Sequence, residues 1–308
     1  MKQQLSVLGI TALLTCSAGA QVYINEVLPN TPGSDTGNEH FELRGTPGLS
    51  LAGYYLLSLE GGGTTGRGDI NQFFDLGAFS IGANGFLFAQ QSGSPYTATA
   101  PGATVIQNTA GTGWGLTGAS TIGHSGDTTQ VDLENGTTTI MLINSGGGVA
   151  PLLTQDMDSD NDGFLDALPA GWSIVDSIGI IDGAATQAAT DFSYGAITLR
   201  VGGAAAGSSM YGNIVDVPGV PPTTSGVFYA GRKGNSTGST ADDWFGAILS
   251  GSAADPLNIT FSSASDPLFQ GLKTPDMIFG GPNPVPEPGT LAILGLGCLG
   301  HLLLRKKC

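Results

Sequence analysis

The sequence predicts an all-β protein, and three observations carry that expectation. Fifty glycines in 308 residues, with many Ser and Thr and few Lys or Glu, disfavour long helices. The apolar residues fall in short runs bounded by Gly, Pro, Asn and Asp clusters, the pattern of strands separated by turns. No stretch before residue 290 carries a helical stripe, and no fixed-period repeat is visible. Many short strands close a core as a sandwich or a barrel.

The strands are read in order. Val22 to Leu28 alternates and stops at Pro29; Asn30 to Asn38 is a loop. Phe41 to Arg44 is a second strand, and Leu51 to Leu59 a third, closed by Gly61-Gly62-Gly63. In the third, Gly53 permits a bulge or close packing, and Tyr54-Tyr55 places one ring on each face. Further strands are expected over Gln72–Leu76, Gly85–Gln90, Thr138–Ile143, Ser173–Ile181, Ala196–Val201 and Gly226–Ala230. At Asp176, beside Ser177, a carboxylate can bond a turn backbone. The polar, Gly/Thr-rich interval Ser92–Gly136 reads as insertion loops or edge hairpins rather than core.

Both ends carry addresses. Lys2, the apolar run Leu5–Leu14 and Ala18-Gly19-Ala20 form a secretory signal helix over residues 1–20, with cleavage after Ala20. That run is shorter than the ~20 apolar residues a bilayer span requires. A lipoprotein reading would use Cys16, but Thr15 is a poor residue before a lipidated cysteine. At the other end, residues 281–308 contain Pro284-Val285-Pro286-Glu287-Pro288, the apolar stretch Leu291–Leu304 and the basic end Arg305-Lys306-Lys307. The prolines stop any preceding element. The apolar stretch suits a short membrane-entering helix, and the three cations hold its end in the cytoplasm. A plain C-terminal anchor would look the same on physical grounds. Either way the body, residues 21–280, lies outside the inner membrane and is long enough for one large or two small domains.

All three cysteines (Cys16, Cys298, Cys308) lie outside that body, which excludes thiol chemistry and Cys-ligated zinc within it. Between residues 21 and 286, six basic residues face 24 acidic ones, a net charge of −18. Such a surface repels nucleic acid and anionic lipid and suits divalent cations.

One constellation carries chemistry. Five acids fall within the eleven residues 156–166. Asp158, Asp160, Asp162, Gly163 and Asp166 stand at positions 1, 3, 5, 6 and 9 of a calcium loop, with the Phe164 carbonyl at position 7 and Leu165 at the apolar position 8. Alternate carboxylates curl round one hard cation, and Gly at position 6 permits the sharp turn. Asp156 stands outside the register and offers a further oxygen. Pro169 occupies position 12 where a bidentate Glu belongs, and no flanking helices are evident, so a structural Ca2+ is expected rather than a paired sensor hand. The alternative is a solvated acidic turn. Phe164 and Trp172 are expected to cover core.

Other signals are weaker. His124-Ser125-Gly126-Asp127 holds triad residue types only as neighbours, whereas a triad is assembled from separate segments. His40 has no H-E-x-x-H around it, and Arg67-Gly68-Asp69 lies in a Gly-rich loop where chance explains it. Tyr229, Trp244 and Phe245 read as core before sugar platform.

Two resemblances add to this. The Pro286-Glu287-Pro288 motif, apolar segment and basic cluster together resemble the PEP-CTERM sorting signal. Such tails are handled by exosortase-type transpeptidases of Gram-negative bacteria that make exopolysaccharide. The resemblance implies cutting near Pro286 to Pro288. In the body, Ile24-Asn25-Glu26-Val27, Glu42-Leu43, Leu51 to Leu56, Val175 to Gly179, Ile197 to Arg200, Asp242-Asp243-Trp244 and Thr274-Pro275 resemble signposts of the lamin-tail domain. Arg44-Gly45 and Tyr54 depart from that pattern, and the spacing between strands is longer. The resemblance implies an immunoglobulin-like β-sandwich without catalytic residues. The expected protein is therefore a non-enzymatic surface or matrix protein, sorted by its tail and braced by calcium. Its expected partners are the sorting enzyme, extracellular polysaccharide or other surface proteins, and the membrane through the C-terminal helix before processing, with no nucleic acid. A polysaccharide-binding module is the alternative, and a secreted hydrolase the third reading.

Overall fold

The computed structural model describes residues 21–285 apart from 64, 127–129, 182–189, 203–207, 220–226, 228 and 253–254. The expected signal helix and C-terminal hydrophobic helix fall outside these residues. Sixteen strands follow one another: β1 (Val22–Leu28), β2 (His40–Gly45), β3 (Tyr54–Glu60), β4 (Ile70–Asp75), β5 (Phe86–Gln90), β6 (Thr104–Gln107), β7 (His124–Gly126) and β8 (Thr138–Asn144) in the first half. Then come β9 (Ser173–Ile181), β10 (Phe192–Ser193), β11 (Ile197–Val201), β12 (Ser208–Ser209), β13 (Ile214–Val217), β14 (Tyr229–Arg232), β15 (Trp244–Ser250) and β16 (Thr260–Ala264). The described residues hold three single 3-10 turns and no α-helix, as the composition predicts.

Fourteen strands form two seven-stranded sheets, ordered β16-β15-β14-β1-β2-β5-β6 and β13-β11-β9-β8-β3-β4-β7. Apolar side chains from both sheets, among them Ile24, Phe41, Leu43 and Leu87 from one and Leu56, Phe74, Leu142 and Ile178 from the other, meet in one buried cluster. The two sheets therefore pack face to face, with the core between them. An immunoglobulin sandwich has seven to nine strands in antiparallel sheets. Here the sheets are larger and include the parallel pairs β5–β6, β9–β11 and β11–β13.

Those last pairs come from a feature invisible as a sequence repeat. After β9 the chain winds in a solenoid-like coil: Phe192 pairs with Ser208 in the small parallel sheet β10–β12, and Thr198 with Ile214 in β11–β13. Both offsets are sixteen residues. Two turns with different side chains leave little for a repeat search to detect.

Each sheet also has a covered outer face. Loop residue Tyr96 and the C-terminal residues Phe269, Met277 and Phe279 pack with Phe88, Tyr229 and Phe261 outside the first sheet. Met157, Trp172 and Tyr194 pack with Leu57, Met141 and Ile143 outside the second. Both faces of central strands are thus buried, which is why β8 and β15 read as nearly unbroken apolar or Thr-rich runs. Tyr54 and Tyr55 sit on opposite faces as expected, Tyr54 against the inter-sheet core and Tyr55 against the outer cluster.

Two buried polar arrangements hold this frame. Asp176 on β9 pairs with Arg232 on β14 at 2.7 Å, and the same carboxylate oxygen accepts from the Ile24 N–H of β1 at 2.9 Å. The sequence predicts a bond from Asp176 to a turn backbone; the carboxylate instead accepts from Ser177 N–H at 3.0 Å within β9, and its larger role is to clasp one sheet to the other. Glu39 is the second. Its carboxylate accepts from Leu133 N–H (2.8 Å), Gln91 Nε2 (2.7 Å) and Trp114 Nε1 (2.6 Å). Trp114 is fully buried against Phe74 and Phe41. The interval Ser92–Gly136, read as insertion loops or edge hairpins rather than core, supplies the edge strands β6 and β7 and also plugs the core, which its polar composition hides.

Candidate functional site

The Asp-rich loop lies between β8 and β9 and rests on the outer face of the second sheet through Met157. Its approach is fixed by main-chain bonds to the start of β4: Ile70 N–H donates to Gln155 O at 3.0 Å, and Met157 N–H to Gly68 O at 3.1 Å. The contact is tight. A Cβ on Gly68, whose φ is +83°, would stand 2.7 Å from the Asp158 Cβ, so only glycine fits beneath the first aspartate. The Arg67-Gly68-Asp69 segment, read from sequence as chance, is therefore the floor of the loop.

Asp158 is the hub. Its side chain is fully buried and accepts from Asp162 N–H (3.1 Å), Gly163 N–H (3.0 Å) and the Tyr194 hydroxyl (2.7 Å). Asn161 and Gly163 adopt positive φ, 54° and 88°, which curls the chain back over that carboxylate. Tyr194 reaches the hub from the coil between β10 and β11; nothing in its sequence neighbourhood signals this role. Burial and Asp158 together push the Tyr194 hydroxyl far above its ordinary value, so it stays a proton donor.

Asp158, Asp160 and Asp162 each offer a carboxylate oxygen, and these oxygens lie within 4.8 Å of one another. Two ligands of one calcium ion, at ~2.3–2.6 Å each, stand at most about 5 Å apart, so the spacing fits one ion. Asp158 accepts twice through Oδ2 and once through Oδ1, which leaves Oδ1 a lone pair free for a cation. The Asp160 carboxyl is raised, first by the negative charge of Asp162, the sign of a cluster whose charges repel one another. The three carboxylates fall short of the six to eight oxygens calcium takes, so carbonyls and water would have to supply the remainder.

The other predicted ligands stand apart from this trio. Asp166 accepts from Ser159 Oγ (2.6 Å) and N–H (2.9 Å), and these bonds lower its carboxyl. It closes the loop rather than joining the cluster. Asp156 accepts from Asp158 N–H at 2.9 Å and shapes the entry turn. Trp172 is buried as expected, whereas the Phe164 ring is 55% exposed, because Asp162 caps the Phe164 N–H and the turn leaves the ring outside.

Elsewhere, Tyr229, Trp244 and Phe245 are buried, so they offer no sugar platform. His124 is buried between Gly115 O (2.6 Å) and Gln72 Oε1 (3.0 Å), with its pKa pushed down to about 4 by burial. Among the described residues no helix is long and apolar enough to cross a membrane. The expected processing residues Ala20, Pro286, Glu287 and Pro288 and the topology residues Arg305, Lys306 and Lys307 lie outside the described residues.

The C-terminal end is addressed by comparison. Residues 284–307 match the PEP-CTERM protein-sorting motif. The motif defines the class: an exported protein, sorted to the envelope or surface through exosortase processing. No curated protein matches the chain, and no solved structure does. The lamin-tail likeness expected from the short strand motifs of the body is not supported by any of these comparisons.

Proposed function

We propose that the body is a non-catalytic structural or interaction module of the bacterial surface or extracellular matrix, delivered by its tail and braced by calcium at the Asp-rich loop. The observation that carries this reading is the sorting motif joined directly to a wholly β body. Export supplies the millimolar calcium at which extracellular modules bind. The loop supports a bracing role because it joins three parts of the fold: the Gly68 turn before β4, the β8–β9 connection and, through Tyr194, the coil. A cation on Asp158, Asp160 and Asp162 would neutralise their repulsion and fix the coil against the second sheet. Before processing, the apolar segment Leu291–Leu304 would hold the chain transiently in the inner membrane.

Calcium at a hundredfold excess over its dissociation constant should stabilise the folded protein by about 2.7 kcal/mol. Thermal melts should therefore shift upward with millimolar calcium, and less with magnesium, which demands a tighter octahedral shell. Asp158 is a poor residue to change because it holds the loop. Asp160→Asn with Asp162→Asn keeps the Phe164 cap and removes two exposed charges. That double variant should lose most of the calcium response while remaining at least as stable without calcium. An equal response in wild type and variant would return the loop to an acidic turn.

A further inference from the structure

We propose that residues 274–285 are a strap that ties the sorting motif to the folded body, and that Glu42 is the residue that positions it. The proposal rests on the sorting reading of the tail and goes beyond it.

The docking face is prepared by a bulge. The pairing of β1 with β2 shifts between Ile24 and Glu26, so Asn25 is the extra residue. Ile24 and Val27 face the inter-sheet core, while Glu26 lies with His40 and Tyr229 on the outer side. Asn25 joins that side through Glu42. A sandwich gains nothing from burying this group: Glu26, Glu42, His40 and Asn25 are each 1% exposed or less, and among the described residues no Lys or Arg bonds either carboxylate. Apolar residues would be cheaper there. The polar atoms instead meet the strap.

Glu42 Oε2 accepts from the Gly280 N–H, and Asn25 Nδ2 bridges Glu42 Oε1 (2.7 Å) to Gly281 O (3.4 Å). The Tyr229 hydroxyl reaches both Glu26 and, at 3.1 Å, Asn283 Oδ1. Asn84 Nδ2 donates to Gly280 O at 2.8 Å, and Thr99 N–H to Phe279 O at 2.9 Å. The Phe279 ring stacks on Phe88 at 5.3 Å and closes over His40. Gly280 has φ +81°, and a Cβ there would stand 2.9 Å from Ala103, so the strap passes at a distance only glycine allows. Burial and the neighbouring Glu26 raise the Glu42 carboxyl well above its ordinary value, which agrees with a group enclosed by the strap.

The sorting motif begins at residue 284, directly after Asn283. From Asn283 to Leu291 the chain spans at most about 28 Å. While the apolar segment lies in the membrane, the body is therefore held within that reach, and its orientation is set by the strap. Val285 leaves beside Gly234, whose carbonyl accepts from Arg44. Gln21, Arg44 and Asn235 line one pocket there, so the new amino terminus and the sorting motif emerge at the same end of the fold. An unfolded body would leave the motif on free chain. A folded one presents it at a fixed place, where the sorting enzyme meets both.

The test uses the full chain in a strain that processes it, with hydrogen exchange on the purified protein and the processed fraction followed by mass. Glu42→Leu and Asn84→Ala should speed exchange of the 277–283 amides by about tenfold or more, leave β8 protected, and lower the processed fraction. Glu42→Gln should restore both. Asn84 lies at the margin of the strap, so its variant carries the test if Glu42→Leu also loosens β8. Wild-type strap amides exchanging like free chain, or a loosened strap processed at the wild-type rate, would overturn the proposal. Glu287→Ala should block processing without touching strap exchange; normal processing of that variant would overturn the sorting reading instead.

Discussion

Arg232→Met is expected to lower the unfolding free energy by about 3–5 kcal/mol, because it leaves the buried Asp176 carboxylate without its cation. Arg232 is wholly buried, lies over the Trp244 ring at 4.4 Å and also donates to Ile24 O at 2.7 Å, so no water replaces it. The pair is a clasp and not a large source of stability in itself: burial raises the Asp176 carboxyl despite the opposing pull of Arg232. Removing both charges, as Arg232→Met with Asp176→Leu, should therefore recover most of the loss. The single variant carries a pH signature. Without Arg232, the folded-state pKa of Asp176 lies further above its unfolded value. The folded state then holds the extra proton, so stability is lost as pH rises through that window and regained as pH falls back towards the ordinary carboxylate range. Denaturant midpoints for wild type, Arg232→Met, Asp176→Leu and the double variant at two pH values measure all of this. An additive double variant would remove the clasp from the account.

Trp114→Ala should cost about 3–5 kcal/mol, the range for large-to-small changes in a packed core. The indole fills the space between Phe41 and Phe74 and caps Glu39 from inside. Trp114→Phe separates the two contributions, since it keeps the ring and drops the N–H. Glu39 retains its bonds from Leu133 and Gln91, so this milder change should cost about 1–3 kcal/mol. Urea unfolding with unchanged slope would confirm that both act on the native core. A Trp114→Ala chain as stable as wild type would mean that Ser92–Gly136 is a surface insertion after all.

What the sequence allowed and what it hid differ in physical kind. Strands whose side chains alternate, or whose ends are marked by Pro and Gly, were readable: Val22–Leu28 and Ser173–Ile181 coincide with β1 and β9. β15 is not legible by periodicity although the Gly/Ser/Thr/Asp turn residues 234–243 precede it, because Trp244–Ser250 is buried on both faces and lacks alternation. β6 and β7 are short edge strands inside a Gly/Thr-rich interval and leave no pattern. The coil is specified by main-chain register rather than by like residues, so its sixteen-residue offset was silent. In the Asp-rich loop, the residues at positions 1, 3 and 5 converge as their spacing predicts. Asp166 does not, because Ser159 takes it, a competition between neighbours that a ligand register does not contain. The hub partner Tyr194 lies 36 residues away and could be found only in the fold.

Export of the chain and its cleavage at both ends are tested most directly by the masses of the mature termini. Intact-mass and terminal-peptide analysis of the surface fraction should find a chain beginning at Gln21 and ending near Pro286 to Pro288, with nothing from Leu291 to Cys308. In cells carrying a tail-less gene, that species should be missing from the surface. Recovery of the intact terminal segment, still attached to the body in the surface fraction, would contradict sorting by cleavage and leave a plain membrane anchor.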